Sequence, residues 1–390
     1  MNTDRITLVK DYEDEDGLHV ILENIPMCVA NAIRRTILSD IPVVVIRTEN
    51  SSINECNITG NTSRFHNEIV KQRLSCIPIM VKDLDEIKDY TLQLNVQNNS
   101  DYEFRIVTSD DFKLQHKDNT FMEEHELKRI FPHDKISNYP IEFLRLRPSI
   151  GTTIPGEKIA LSANFSISTA GVDGMFNAVS KCTYHNVIDA ESVKNLWRYY
   201  EEQLKAEDKS SQEIEFEKKN FENLDAQRAY KIDANGDPNA FEFEIKTIGQ
   251  YTNYEIFQKS CEIIISKAKQ FIEDIESNSE NVPIHQSKMS KELGYTSVIS
   301  AIEDSYDIIL LNEDYTMGYL YEYFLFNMFY SEEGRLSFIG FKKYHPHDDY
   351  SVLRVSSPTG TLKYIKEKVI ESSQKIIEVF KNIQRKFDRT

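Results

Sequence analysis

A chain of 390 residues with 46 basic and 63 acidic side chains has a formal net charge of -17, which opposes broad binding to a nucleic-acid backbone and favours protein partners. The length suits two or three domains with a core each. The five cysteines, Cys28, Cys56, Cys76, Cys182 and Cys261, are scattered and include no C-x-C or C-x-x-C pair, which argues against a disulfide framework or a zinc knuckle and fits a reducing compartment.

The polar start, Met1 to Arg5, is not a signal peptide, and no apolar run approaches the length of a membrane span, so a soluble intracellular protein is expected. Ile6–Val9 and Leu18–Leu22 read as a β-hairpin around the acidic turn Glu13–Gly17. Met27–Ile41 places Val29, Ile33, Ile37 and Ile41 on one helical stripe while Asn31, Arg34 and Arg35 face away; Pro26 starts this helix and Pro42 ends it. Val43–Ile46 reads as a short buried strand. His66–Pro78 is a second short amphipathic helix stopped by proline.

Short alternating runs such as Tyr90–Val96, Phe104–Val107 and Ile159–Phe165 make 47–186 a mostly β insert. The stretch 187–232 is charged and reads as a surface helix plus a solvated connector. Asn235–Pro238 then turns the chain into a strand at Phe241–Ile245. Tyr254, Phe257, Cys261, Ile264, Ala268, Phe271 and Ile275 alternate spacings of three and four, the mark of a long amphipathic helix. A polar linker is expected over 277–300. Beyond it come strands at Tyr306–Leu311, Leu336–Phe341 and Val352–Val355, a helix over Tyr319–Tyr330, and a last helix, Thr361–Phe387, with Leu362, Val369, Ile376 and Ile383 at heptad spacing.

Several chemical readings fail on the sequence. The acidic run Glu13–Asp16 clusters the oxygens that hard divalent ions want, but it mixes glutamates into a hairpin turn and reads as an acidic turn. Asp233, Asn235, Asp237 and Glu244 sit at calcium-loop positions, but Pro238 replaces the required glycine. His345 and His347 have no third ligand near in sequence, so an independent metal-dependent hydrolase ranks last. There is no P-loop, G-x-S-x-G, H-E-x-x-H or G-x-G-x-x-G.

Ala30–Pro42 followed by Asn67–Pro78 resembles the alpha-like component of cellular RNA polymerases: the third-largest subunit in eukaryotes, the D protein in archaea and alpha in bacteria. Ser75 stands where that family usually has glycine. Glu313–Leu320 followed by Gly340–Pro346 resembles its small partner, the eleventh subunit of eukaryotic RNA polymerase II or the archaeal L protein, with Tyr315, Met317, Tyr319 and Tyr344 departing from the usual His, Leu, Asn and Pro. Some members carry a zinc or iron-sulfur site in the middle of the larger of these two proteins, and this chain lacks the cysteines for one.

Both halves share a plan: a strand, a turn with Asn24 or Glu313, a helix opening with Ala30 or Gly318, and a closing long helix. That is a weak internal repeat with the logic of a pseudo-twofold dimer. The expected fold is α+β: two alpha-like dimerisation domains, each a sheet plus a long helix, paired in one chain, with the β-rich insert in the first half. The D-like domain takes 1–46 and 233–276, the insert 47–186, the connector 187–232, and the L-like domain 301–390. Such a fusion is similar to what large cytoplasmic DNA viruses use, placing the chain in host cytoplasm or the virion if viral, and otherwise in the nucleus.

What the resemblance implies is a non-catalytic assembly platform of a multisubunit DNA-directed RNA polymerase. The second-largest subunit would bind first, then the largest, with small zinc-bearing subunits as neighbours, and with no cofactor, membrane or sequence-specific nucleic-acid contact. Arg34 and Arg35 would fork onto carboxylates or carbonyls of the second-largest subunit. Asn31, Ser39, Asp40, His66, Asn67, Glu68 and Arg73 are carried over with them, although Glu68 could equally pair with Arg73 or cap its own helix. Tyr254, Phe257, Cys261, Ile264 and Phe271 would meet Leu362, Val369, Ile376 and Ile383 between the long helices. The rival is a homo-oligomeric adaptor that kept the dimerisation fold without a polymerase.

Overall fold

The computed structural model describes residues 6–151, 153–286, 305–331, 335–358 and 361–387. The expected N-terminal segment 1–5, the linker residues 287–300 and the opening residues 301–304 of the last domain lie outside the described residues.

In chain order, β1 (Thr7–Asp14) and β2 (Gly17–Glu23) form a hairpin leading into α1 (Met27–Ser39) and β3 (Val43–Val45). Next come β4 (Cys56–Asn61), α2 (Asn67–Ser75), β5 (Tyr90–Gln97), β6 (Arg105–Thr108), β7 (Lys113–His116) and α3 (Glu124–Ile130). Strands β8 (Glu142–Leu146), β9 (Lys158–Ala163), β10 (Ser166–Ser168) and β11 (Val179–Asn186) precede a pair of helices, α4 (Ala190–Ala206) and α5 (Ser211–Asn223). The chain continues with β12 (Ala240–Thr247), α6 (Asn253–Ser277), β13 (Ile284–Gln286) and β14 (Ser305–Leu311). It closes with α7 (Tyr315–Leu325), a π-helical turn at Phe326–Ser331, β15 (Phe338–Lys342), β16 (Tyr350–Ser356) and α8 (Leu362–Phe387).

The chain divides into two compact units. The first comprises Met1–Thr36, Lys181–Ile245 and Phe257–Thr390. It holds two four-stranded sheets, ordered β1-β2-β12-β11 and β13-β14-β16-β15. The two repeat one plan. Antiparallel β2 and β12 pair Val20 with Phe243 and Leu22 with Phe241, and antiparallel β14 and β16 pair Ile308 with Leu353. All of these side chains are buried; β2 and β12 alternate as a half-covered sheet requires, whereas β14 and β16 bury consecutive residues. In each half the first strand of the central pair leads through a left-handed asparagine, Asn24 or Asn312, into a short helix, and the second leads into a long one. The turn equivalent to Asn24 is therefore Asn312, one residue before the expected Glu313, because asparagine tolerates positive φ and glutamate does not.

The long helices bury their stripes within this unit. Phe257, Cys261, Ile264 and Phe271 on α6, and Val369, Ile376 and Ile383 on α8, are buried. Phe257 packs on Phe387 with ring centroids 4.5 Å apart, Phe271 stacks on Tyr321 at 4.3 Å, and Gln384 donates to the Gln258 carbonyl. Each large apolar side chain so buried contributes about 1.5–3 kcal/mol. Tyr254 and Leu362, expected on the stripes, sit near the helix ends and are only partly buried.

The second unit comprises Ile37–Ser180 and Lys246–Ile256. Its sheets are β4-β9-β5-β7, β6-β8 and β10-β3, over a core in which Phe112 meets Phe131 and Phe143 edge-on at 5.4 and 5.8 Å. Gly156 is required here by close approach: a Cβ on it would lie 1.9 Å from the Asn98 carbonyl oxygen.

Several expectations shift. The first helix stops at Ser39 rather than Ile41, since the residue before Pro42 is barred from helical geometry. Strand β3, assigned to the first dimerisation half, pairs with β10 and belongs to the second unit. The stretch read as a solvated connector contains a second helix, α5, whose Phe221 packs on Trp197 and Tyr200 of α4. The expected linker includes β13, an edge strand on β14.

Candidate protein-docking surface

Helix α1 is set by its apolar stripe: Val29, Ile33 and Ile37 are buried, while Asn31, Arg34 and Arg35 are partly exposed. The Asn31 carboxamide oxygen accepts from Arg34 Nη2 at 2.9 Å and Nε at 3.2 Å, so Arg34 is braced along its own helix with its charge uncompensated by that contact. Arg35 behaves differently. Its Nε donates to Thr316 Oγ1 at 2.8 Å and its Nη2 to the Asp314 carboxylate. The carboxylate beside Arg35 thus lies in this same chain, where the resemblance pointed to carboxylates or carbonyls of the second-largest subunit.

Asp314 is the N-cap of α7, accepting from the Thr316 amide at 2.9 Å. Burial pushes its carboxyl up, but the Thr316 amide and the Arg35 guanidinium pull harder and hold it below its ordinary range. One side chain therefore caps the short helix of the second half and pairs with the short helix of the first. The D-Y-T cap signature was readable in the sequence; its pairing with Arg35, 279 positions away, was not.

The remaining candidates belong to the second unit. Ser39 Oγ donates to Asp40 at 2.6 Å, and the Ser39 carbonyl accepts from the Gly171 amide at 2.7 Å. His66 takes the N-cap position of α2 in extended geometry and makes no side-chain cap; its Nδ1 meets Glu68 Oε2 at 2.9 Å. Its own backbone amide, then His66, hold the Glu68 carboxyl below its usual range. Arg73 donates to the Phe143 carbonyl at 2.7 Å, so of the two roles weighed for Glu68, pairing with Arg73 is not the one observed. Asn67 accepts from Asn61 at 2.9 Å. The exposed positions of α2 and its N-cap are thus His66, Asn67, Glu68 and Gln72, while Arg73 ties the helix to β8.

The discarded chemical readings have structural counterparts. Asp14 accepts from the Asp16 amide within the acidic hairpin turn, and Asp233 accepts from the Asn235 and Asp237 amides in a plain turn. His345 Nδ1 accepts from the His347 amide at 3.2 Å. Among the described residues no group of three His, Cys, Asp or Glu is placed to hold a metal, and no helix is long and apolar enough to cross a membrane.

Residues 19–268 match the family described as the RNA polymerase Rpb3/Rpb11 dimerisation domain. The chain is 27% identical over 286 residues to DNA-directed RNA polymerase subunit Rpo3 of Methanosphaera stadtmanae, covering 68% of this chain and 96% of that one. It is 22% identical over 280 residues to Rpo3 of Pyrococcus furiosus, covering 67% and 94%. Over a shorter stretch of 89 residues, 21% of this chain and 32% of the relative, identity to Rpo3 of Pyrococcus horikoshii is 34%.

Proposed function

The chain belongs to the RNA polymerase Rpb3/Rpb11 dimerisation-domain family and is an Rpo3-like, non-catalytic subunit of DNA-directed RNA polymerase, and on that premise we propose that it carries both partners of the dimer in one polypeptide. The first half takes the D role and residues 301–390 the L role, an arrangement similar to the polymerases of large cytoplasmic DNA viruses. The observation that carries this reading is the packing of α6 on α8 within one unit, with Phe257 against Phe387. Two sheets of one plan, each followed by a long helix with one apolar stripe, support it. Joining the partners sets their effective concentration on the order of millimolar, so no small subunit has to be captured.

The pair then acts as an assembly platform. The second-largest subunit binds the first helix through Asn31, Arg34 and Ser39 with the adjoining Asp40, and the second through Asn67, Glu68 and the N-cap His66, and the largest subunit follows. Small zinc-bearing subunits are its neighbours, and the chain itself needs no cofactor. An obligate interface of this kind buries on the order of 2,000 Å² or more.

Affinity purification of the tagged chain from its native source, with mass spectrometry of what accompanies it, tests the docking face. Arg34→Glu is the informative variant, because Arg35 also holds Asp314. Two very large subunits should come with the wild type and be lost with Arg34→Glu. Recovery of the chain alone would sink the platform and favour the homo-oligomeric adaptor.

A further inference from the structure

The first unit contains a cavity of about 700 Å³ walled by the first turn of α1, strand β11, helix α7 with its π-helical continuation, and β15. Its lining combines the apolar Met27, Cys28 and Ile339 with aromatic, acidic and amide side chains. Tyr184, Tyr319, Tyr323 and Phe326 contribute aromatic rings, Glu322 a carboxylate, and Asn31 and Asn327 carboxamides. Neither lysine nor arginine lines it among the described residues.

Two of the polar groups are held by backbone hydrogen bonds. The Phe341 amide donates to Glu322 Oε1 at 3.0 Å, orienting the carboxylate. Asn327 Nδ2 donates to the Tyr323 carbonyl at 2.9 Å, which leaves its side-chain oxygen as an acceptor. The nearby Arg34 is held by Asn31 on α1. Burial pushes the Glu322 carboxyl above its ordinary range, against the pull of the Phe341 amide. The π-helical turn, a geometry concentrated at functional sites, places Phe326 in a stack with Tyr330 at 4.8 Å.

Aromatic faces attract cations, and a carboxylate beside a carboxamide oxygen matches the in-plane donors of a guanidinium better than an ammonium point charge. The apolar surface also continues beyond the cavity: Tyr315, Tyr319, Phe326 and Tyr330 are each about 40% exposed (38%, 43%, 42% and 44%). A free metabolite would not use that rim, whereas residues flanking an inserted side chain would. The net charge of -17 further draws basic partner surfaces. We infer that this cavity receives an arginine side chain of a partner protein, its guanidinium between the tyrosine rings and against Glu322 and Asn327. The inference does not depend on which polymerase component binds α1, and the isolated full-length chain suffices to test it.

The full chain, carbon-13 labelled at its methionine methyls, would be titrated with an acetylated, amidated Ala-Arg-Ala tripeptide. Met27 lines the cavity, the buried Met317 reports the fold of the first unit, and Met80 and Met175 report the fold of the second. A saturable Met27 shift with a Kd on the order of millimolar is expected, weakened about tenfold or more with citrulline in place of arginine and with Glu322→Gln. Tyr319→Ala should weaken it likewise while the Met317 signal stays that of a buried methyl group. Absence of a Met27 response would overturn the proposal, as would equal binding of the citrulline peptide or undiminished binding to Glu322→Gln. Equal affinity for tetramethylammonium chloride would replace the docking arginine with a small-cation site.

Discussion

Arg35 of the first short helix and Asp314, the N-cap of the corresponding helix in the second half, are ion-paired across 279 positions of sequence. Each side chain remains about one-third exposed, so solvent screens the pair and its value lies in register more than in bulk stability. Arg35→Ala should cost about 1 kcal/mol, and a double-mutant cycle with Asp314→Asn should show a coupling of about 0.5–1 kcal/mol in urea unfolding.

Acid should erase that contribution. The Asp314 carboxyl lies below its ordinary 3.8 in the folded chain, so its stabilisation is complete above that value and fades as pH falls through the lower folded one. Wild type and Asp314→Asn should therefore differ in stability at pH 6 and converge as pH falls through the lowered folded-state value; a gap that stays constant with pH would count against the pairing.

Gly318 sits under the Phe341 ring, and an added Cβ would come within 2.1 Å of it. That ring is wedged against Tyr315 and Tyr319 at 5.5 and 5.6 Å and has little room to yield. Gly318→Ala should destabilise the first unit by about 1–3 kcal/mol, and Phe341→Leu in the same chain should recover part of the loss, as read by thermal melting.

The long-helix seam should be far more sensitive. Truncating Phe257, which touches both Phe243 and Phe387, to Ala should cost about 3–5 kcal/mol in guanidinium unfolding. A loss under 1 kcal/mol would mean that α6 and α8 do not form this core in solution.

Thiol reactivity offers an independent check on burial. Desolvation raises Cys56 to about 11 and both Cys182 and Cys261 to about 12, whereas Cys76 is exposed. Cys76 should react first with an aromatic disulfide reagent at pH 8, and Cys76→Ser should abolish the fast phase.

Much of this architecture was legible because it rests on local periodicity. The stripe Val29, Ile33, Ile37 and the helical repeats through Phe257–Ile275 and Val369–Ile383 announce their own buried faces. Elements whose stability comes from elsewhere in the chain were not legible. Helix α5 has scarce apolar residues, and only the Ser210–Glu213 capping box signals its start. Strand β13 is three residues long and exists through pairing with β14. At the candidate docking surface the residue types pointed to charged recognition, but Arg35's intrachain partner and Arg73's bond to the Phe143 carbonyl are long-range facts that no spacing encodes.

The most direct measurement is native mass spectrometry of the polymerase purified through this chain. Intrachain pairing of the two dimerisation halves predicts one copy of the chain for each second-largest subunit, with no separate small L-like partner. Two copies per complex, or one copy accompanied by a distinct small partner on α6, would contradict it.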